Sequence, residues 1–381
     1  MLTDTDSTTA CETMNHHSSV APKVSVLMSV YNGSQYLREA IDSILNQTFA
    51  NFEFIVIDDC STDNSWEILN GYATQDSRIV LLKNEENIGL TKSLNKGIRV
   101  AKGEYIARQD ADDVSLPCRF EKQLAVLEQD SDVALVSCDV EMIHSDGTYI
   151  CILKQACEPE LVAWHLLFYN HIAGHSQVVF KKDLAIELGS YNEDYRYSQD
   201  YELWCRLIKV SKFVIVPEPL LRQRRHKQSI SNIKFNEQHS FALAQVSLNI
   251  SSLINVSIDS EKADELYNFW IRSLKSDFFI DHQKVENLHR LMKCIYFSFI
   301  SKQVELHQEN IKLQRKICGL IGERFFDGLN QVSFRADPIT KLRLSLIIFF
   351  WCPKIIYGYY FFMLPQRISQ RIPFRKRQKF A

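Results

Sequence analysis

Between Val24 and Arg108, four apolar, β-branched runs alternate with segments of helical spacing, and this constrains the fold more than any other feature of the chain. Val24–Val30 predicts a buried strand that stops at the turn signal Tyr31-Asn32-Gly33. Leu37, Ala40, Ile41, Ile44 and Leu45 then lie on one helical face. Phe52–Ile57 predicts a second strand running into Asp58-Asp59. Ser61, Thr62, Asp63 and Asn64 offer caps for a helix carrying Trp66, Ile68 and Leu69. Ile79–Leu82 predicts a third strand, Leu90–Val100 a third helix, and Glu104–Gln109 a fourth strand. The order β-α-β-α-β-α-β dictates a mostly parallel, doubly wound sheet. Tyr31, Asp59 and Asp110 fall at the carboxyl ends of strands, the edge at which open α/β sheets bind ligands.

The fourth run exits into Asp110-Ala111-Asp112-Asp113. Carboxylates this close repel one another, and a cation or a donor-rich ligand relieves the repulsion. Oxygen ligands suit hard divalent ions such as Mg²⁺ and Mn²⁺, which commonly hold a diphosphate through one or two carboxylates. The plainer alternative is an acidic, solvated loop.

Val24–Asn32, Asp58-Asp59-Cys60-Ser61-Thr62-Asp63 and Asp110–Asp113, in that order, resemble the nucleotide-sugar half of the family 2 glycosyltransferases. Asn87-Ile88-Gly89-Leu90 and Pro117–Gln123 extend the resemblance, which runs from about Lys23 to about Ser231. It implies an α/β fold of GT-A type, a Rossmann-like mixed sheet flanked by helices. It also implies an inverting transfer from a nucleotide-diphosphate sugar. Carried over by position, Tyr31, Asn32, Asp59, Asp110 and Asp112 bind the nucleotide sugar. Asp110 and Asp112 hold a divalent metal, Mn²⁺ or Mg²⁺, with Asp113 as an accessory.

Further along, Val133–Ser137 and Tyr149–Leu153 predict strands, and the sheet is expected to gain an antiparallel portion there. His175 matches a family position before the next strand, with a hydrogen-bonded structural histidine as the alternative. Tyr195–Leu207 predicts an amphipathic helix through Leu203, Trp204 and Leu207. Asp200 lies in its first turn, where the helix dipole favours a carboxylate for structural reasons alone. The resemblance assigns Asp200 as the general base, while Gln199 stands where the family commonly has Glu. Phe213–Val216 predicts a short strand and Pro217-Glu218-Pro219 a turn. Arg224, His226, Ser229 and Ser231 then fit a family pattern, and a mobile basic loop there could close over a diphosphate. A solvated basic surface is the alternative.

From Glu237 onward helical periodicity dominates. Leu342–Leu364 is strongly apolar, with Pro353 and Lys354 interrupting it. Arg367, Arg371, Arg375, Lys376, Arg377 and Lys379 follow without an acidic residue. A span needs about 20 mostly apolar residues and tolerates a central Lys poorly. An interfacial helix pair broken at Pro353 is therefore expected on an anionic membrane surface, with a buried core helix as the alternative. The organisation expected is a disordered leader at 1–22, a GT-A catalytic domain at 23–235, a helical appendage at 236–340 and a membrane-associated segment with a basic tail at 341–381.

The net charge of −2 carries no basic signature of nucleic-acid binding. The 10 cysteines contain no C-x-x-C pair, which disfavours zinc and fits a reducing cytosol. Residues 1–22 lack the apolar run of a signal peptide. The expectation is therefore a cytoplasmic enzyme, peripheral or monotopic on the membrane. Its partners are a nucleotide-diphosphate sugar and a glycan or lipid-linked acceptor, in cell-surface polysaccharide or glycolipid synthesis. The alternatives are a metal-dependent nucleotidyltransferase and a non-catalytic scaffold of the same fold. A dinucleotide oxidoreductase is disfavoured because no G-x-G-x-x-G follows the first strand.

Overall fold

The computed structural model describes residues 21–172, 174–306, 310–332 and 337–358. The expected leader, apart from residues 21 and 22, and the basic tail lie outside these residues. The strands are β1 (Val24–Val30), β2 (Phe52–Asp58), β3 (Ile79–Lys83), β4 (Tyr105–Arg108), β5 (Val114–Ser115), β6 (Val133–His144), β7 (Tyr149–Leu153), β8 (Val179–Lys181) and β9 (Lys212–Arg225). They form one sheet in the order β3-β2-β1-β4-β8-β6-β9-β5, with β7 paired to β6. β3, β2, β1 and β4 are mutually parallel. β8 enters antiparallel between β4 and β6, and β7 is antiparallel to β6. The sheet is thus the mixed sheet of the GT-A type.

Alternation along each strand feeds two cores. Val24, Val26, Met28 and Val30 face one side with Phe54 and Val56, against α1 (Leu37–Leu45), α2 (Ser65–Gln75) and α4 (Arg119–Gln129). Leu27, Ile55 and Ile57 face the other, against α3 (Leu90–Val100). Gly97 of α3 lets this helix approach: a Cβ there would stand 2.1 Å from Leu27 Cδ1. The pattern is that of a strand buried on both faces, which is why these strands lack a polar side.

β9 departs from the expected short strand and turn. It runs 14 residues through Pro217 and Pro219, parallel to β6. The register slips around Cys138 and Asp139, so that β9 bulges where its prolines have no N–H to offer. The expected mobile loop around Arg224 is thereby partly strand.

α5 (Pro159–His165), α6 (Lys182–Glu187), α7 (Gln199–Leu207) and α8 (Ile230–Ile233) complete the sheet's flanks. Then come α9 (Phe235–Ile254), α10 (Ser260–Trp270), α11 (Ser276–Ile280), α12 (His282–Leu306), α13 (Ile311–Val332), α14 (Pro338–Trp351) and α15 (Pro353–Gly358). These helices share one continuous core with the sheet. Trp164 of α5 meets Phe168, Trp270 and Phe299 edge-on at 5.1–5.7 Å. Leu344, Ile347, Ile348 and Trp351 of α14 belong to the same core, so α14 straddles the boundary expected at 340–341. No helix among the described residues is long and apolar enough to cross a membrane.

Candidate active site

The carboxyl ends of β1, β2 and β4 and the start of α7 converge on one cleft. Its floor is the acidic turn after β4. Asp110, Asp112 and Asp113 bring carboxylate oxygens within 4.8 Å of one another. Asp110 is the anchored member. Arg108, fully buried, donates from Nη2 to Asp110 Oδ1 at 2.5 Å. Ser176 donates to Oδ2 at 2.9 Å and accepts from the Asp110 amide. Burial opposes its charge, but Arg108, His175 and Ser176 hold the Asp110 pKa below the ordinary value. Asp112 and Asp113 go the other way: burial first and the neighbouring carboxylates second raise both, Asp113 well above the ordinary value.

This chemistry fits a divalent cation. An Asp110 held as the carboxylate, beside two carboxyls pushed toward protonation, forms a hard oxygen donor set in which a cation can replace the protons. Asp110 and Asp112 are each about one-third exposed and can reach a ligand. Asp113 is buried and accepts from the Arg224 amide at 3.0 Å, which ties the acidic turn to β9.

Arg224 and His226 close the cleft on the β9 side. The Arg224 side chain is 2% exposed and donates to Glu39, to the Asp112 carbonyl and to Ser145 O. It is a brace between α1 and the acidic turn, not a free cation over a diphosphate, because its donors are already taken by the fold. His226 Nε2 meets Asp112 Oδ2 at 2.8 Å and its ring lies 5.0 Å from that of Tyr36. Its Nδ1 is buried without a hydrogen-bond partner among the described residues.

The loops after β1 and β2 are paired into one wall. Asn32, at φ 53°, accepts from the Thr62 amide and donates its own amide to Ser61 Oγ. Gly33 N bonds Ser65 Oγ and Ser34 N bonds Asp63. Asn32 therefore shapes the wall, while Tyr31 presents a ring that is half exposed. Asp59 is 2% exposed and accepts from Asn84 Nδ2, Ile88 N and Gly89 N at 2.8–3.0 Å. It pins the Asn87–Leu90 segment at the head of α3. The adjacent Asp58 keeps a buried Oδ1 with no partner among the described residues.

Opposite, Asp200 sits in the first turn of α7. Burial raises its pKa, and the charge of Asp110 raises it further, so the two carboxylates are electrostatic neighbours. Asn170 Nδ2 donates to Asp200 Oδ2 at 2.9 Å, and Asn170 Oδ1 is buried without a partner among the described residues. His175 lies behind the cleft, bonded to Tyr191 Oη at 2.8 Å and edge-on to Trp204. Burial, then Arg108, holds its pKa well below the ordinary value. The Tyr191 hydrogen bond is of the kind that the structural alternative expects.

Reasoning from sequence missed Arg108, Ser176, Asn170 and Arg119. Arg108 reads as a strand residue, and Ser176 and Asn170 lie in loops with no periodic signal. Arg119 was visible as part of Pro117–Gln123, but its buried hydrogen bonds were not. A second group, Cys157, His165 and His171, also has metal-ligand chemistry. Three of its four ring nitrogens have partners: Trp270 Nε1 donates to His165 Nδ1, and His171 bonds Tyr169 Oη and the Gln155 carbonyl. Burial lowers both imidazoles, His165 to about 3. The cluster is a neutral hydrogen-bond network.

The sequence model for Glycosyl transferase family 2 matches residues 25–170. A Haemophilus influenzae protein named an uncharacterized glycosyltransferase is 30% identical over 330 residues, 80% of this chain and 99% of its own length. The Escherichia coli O-antigen biosynthesis glycosyltransferase WbnJ is 32% identical over 231 residues, 58% of this chain and 88% of its own. Among solved structures, S. aureus TarS 1–349 superposes with a TM-score of 0.51 at 16% identity, covering 86% of this chain and 91% of that one. That last likeness is one of fold.

Proposed function

We propose, from the premise that this chain belongs to glycosyl transferase family 2 and is a glycosyltransferase, that it moves a sugar from a nucleotide-diphosphate sugar to an acceptor hydroxyl with inversion. The observation that carries this reading is the Asp110, Asp112 and Asp113 carboxylate cluster, with Asp200 at the start of α7 near enough to feel the charge of Asp110.

The nucleoside lies along the Tyr31–Asn32 wall, with Asp59 holding the loop beneath it and offering its remaining lone pair. Asp110 and Asp112 would hold a divalent ion, Mn²⁺ or Mg²⁺, with Asp113 beside them. When bound, that ion neutralises charge on the departing diphosphate. His226, on Asp112, and the Arg224 brace fix the rim on this side. Asp200 takes the proton of the acceptor hydroxyl as the acceptor oxygen bonds to the anomeric carbon. The bond from that carbon to the diphosphate breaks with its electron pair, and a single displacement inverts the centre. A carboxylate with a raised pKa is a better proton acceptor than an ordinary Asp, and Asn170 steadies its other oxygen.

The relation to an O-antigen biosynthesis glycosyltransferase supports a glycan or lipid-linked acceptor in cell-surface polysaccharide synthesis. The apolar Leu342–Leu364 segment and the basic residues after it support a peripheral or monotopic position on the cytoplasmic face of a membrane.

Calorimetric titration with UDP-, GDP- and TDP-sugars, with Mn²⁺ or with EDTA, tests the donor side. Asp112→Ala is expected to lose metal-dependent donor binding. Asp200→Asn is expected to bind donor as wild type and transfer about 10²–10⁴-fold more slowly. Donor binding indifferent to EDTA removes the metal from this reading. Near wild-type turnover in Asp200→Asn removes the base.

A further inference from the structure

α14 turns an apolar face outward. At about 100° per residue, Ile339, Leu342, Leu346, Phe349 and Phe350 occupy one arc, and each is 49–61% exposed. Arg343 is the charged residue on that arc. The opposite arc, Thr340, Leu344, Ile347, Ile348 and Trp351, is buried. A surface helix ordinarily turns its polar side to water; here both sides are apolar. α12 widens the patch. Its Lys293 reaches the Phe350 ring, and Phe297, four residues on, is 58% exposed. The exposed area is on the order of several hundred Å², more than scattered surface residues account for.

The rim is basic. Lys293 Nζ lies 4.7 Å over the Phe350 ring, and Arg343 and Lys354 are exposed nearby in sequence. Arg290 of α12 is exposed too, with Glu286 as its partner. In sequence, the stretch 359–381, outside the described residues, holds six basic residues and no acidic one. A second copy seated on this face would set basic rim against basic rim. An anionic bilayer complements the patch in both respects: its acyl boundary takes the rings and its headgroups take the cations.

We propose that the outward face of α14, completed by Phe297 of α12, lies shallowly in the surface of an anionic membrane. This rests on the membrane reading above and specifies the contact. The sequence allowed an apolar pair running from Leu342 to Leu364. The structure instead divides α14 lengthwise, one half in the core and the other exposed.

The test is flotation of the full chain with vesicles of phosphatidylcholine alone or with about one-third phosphatidylglycerol, at low and at 0.5 M salt. Wild type is expected to float with the anionic vesicles and to stay bound at high salt, because apolar insertion is not screened. Leu346→Glu/Phe349→Glu is expected to reduce partitioning at least tenfold while keeping the wild-type circular dichroism, since both side chains are exposed. A double variant that binds like wild type at both salts overturns the face and leaves a membrane reading carried by the basic tail. Wild type that binds neither vesicle overturns both. A wild-type dimer that the double variant dissociates, without vesicle binding, gives the face to a second copy and overturns the proposal.

Discussion

Arg119→Met should loosen the floor of the cleft without touching any residue expected to meet substrate. Arg119 is fully buried at the start of α4. Its guanidinium donates to Gln123 Oε1 at 3.0 Å, Gln109 Oε1 at 3.1 Å and Ser115 Oγ at 2.7 Å, and to the carbonyls of Arg108 and Val178 at 2.9 and 3.1 Å. Methionine fills much of the volume and supplies none of these donors. Three acceptors keep other partners: Ser115 Oγ and Gln109 Oε1 still bond each other, and Arg108 N still reaches Val178 O. Gln123 Oε1 and Arg108 O lose the guanidinium, and each buried acceptor left unpaired costs about 1–3 kcal/mol. Removing a buried charge offsets part of this, so the net loss is ~2–4 kcal/mol. For a chain of 381 residues, at about 2.1 cal/mol/K of unfolding entropy per residue, that lowers Tm by roughly 2–5 °C. Arg119→Lys, which restores charge but not the planar fork, should fall between. Calorimetric unfolding measures the stability. Donor titration well below the Tm should show weaker binding, because Arg108 and Gln109 position Asp110. A Tm within about 1 °C of wild type would refute the reasoning.

Asn170→Ala should move the acidic limb of the kcat–pH profile to higher pH. The base must be deprotonated to act, so activity is lost as pH falls through the raised pKa of Asp200; Asn170 donates to the charged form and lowers that pKa, and its loss raises it. An unmoved limb with unchanged kcat would show that Asn170 does not act through Asp200. Asp59→Asn should weaken nucleotide binding together with amide protection at Asn84–Leu90, since it removes an acceptor from donors at Ile88 and Gly89. Lost affinity with protection intact would mark direct nucleoside contact instead. Gly97→Ala should destabilise by about 1–3 kcal/mol in denaturant unfolding, because its Cβ must displace Leu27 and press on Ile57. An unchanged midpoint would mean that α3 shifts freely on the sheet.

The local code of the α/β half was legible because periodicity and strand exits are properties of consecutive residues. Val24–Val30 and Phe52–Asp58 became parallel neighbours, and Asp110 fell at the sheet's carboxyl edge, as the β-α-β order requires. The path of β9 was not legible. Two prolines signal a turn locally, yet pairing with β6 on one side and β5 on the other holds the strand together across its bulge. Nor was the division of labour among charged residues. Arg224 looked like a free cation until Glu39, far away in sequence, came within reach of it.

By itself, the sequence determined the alternation of strands and helices, the acidic turn and the start of α7, because these follow from side-chain spacing and turn chemistry. Tertiary structure alone decided what each polar group faces. It placed Asn170 on Asp200, Ser176 and Arg108 on Asp110 and His226 on Asp112. It also seated one side of α14 in the core and left the other outside. The physical reason is range. Propensity and periodicity act over a few residues, whereas desolvation and hydrogen bonding depend on whichever distant segment the chain brings alongside.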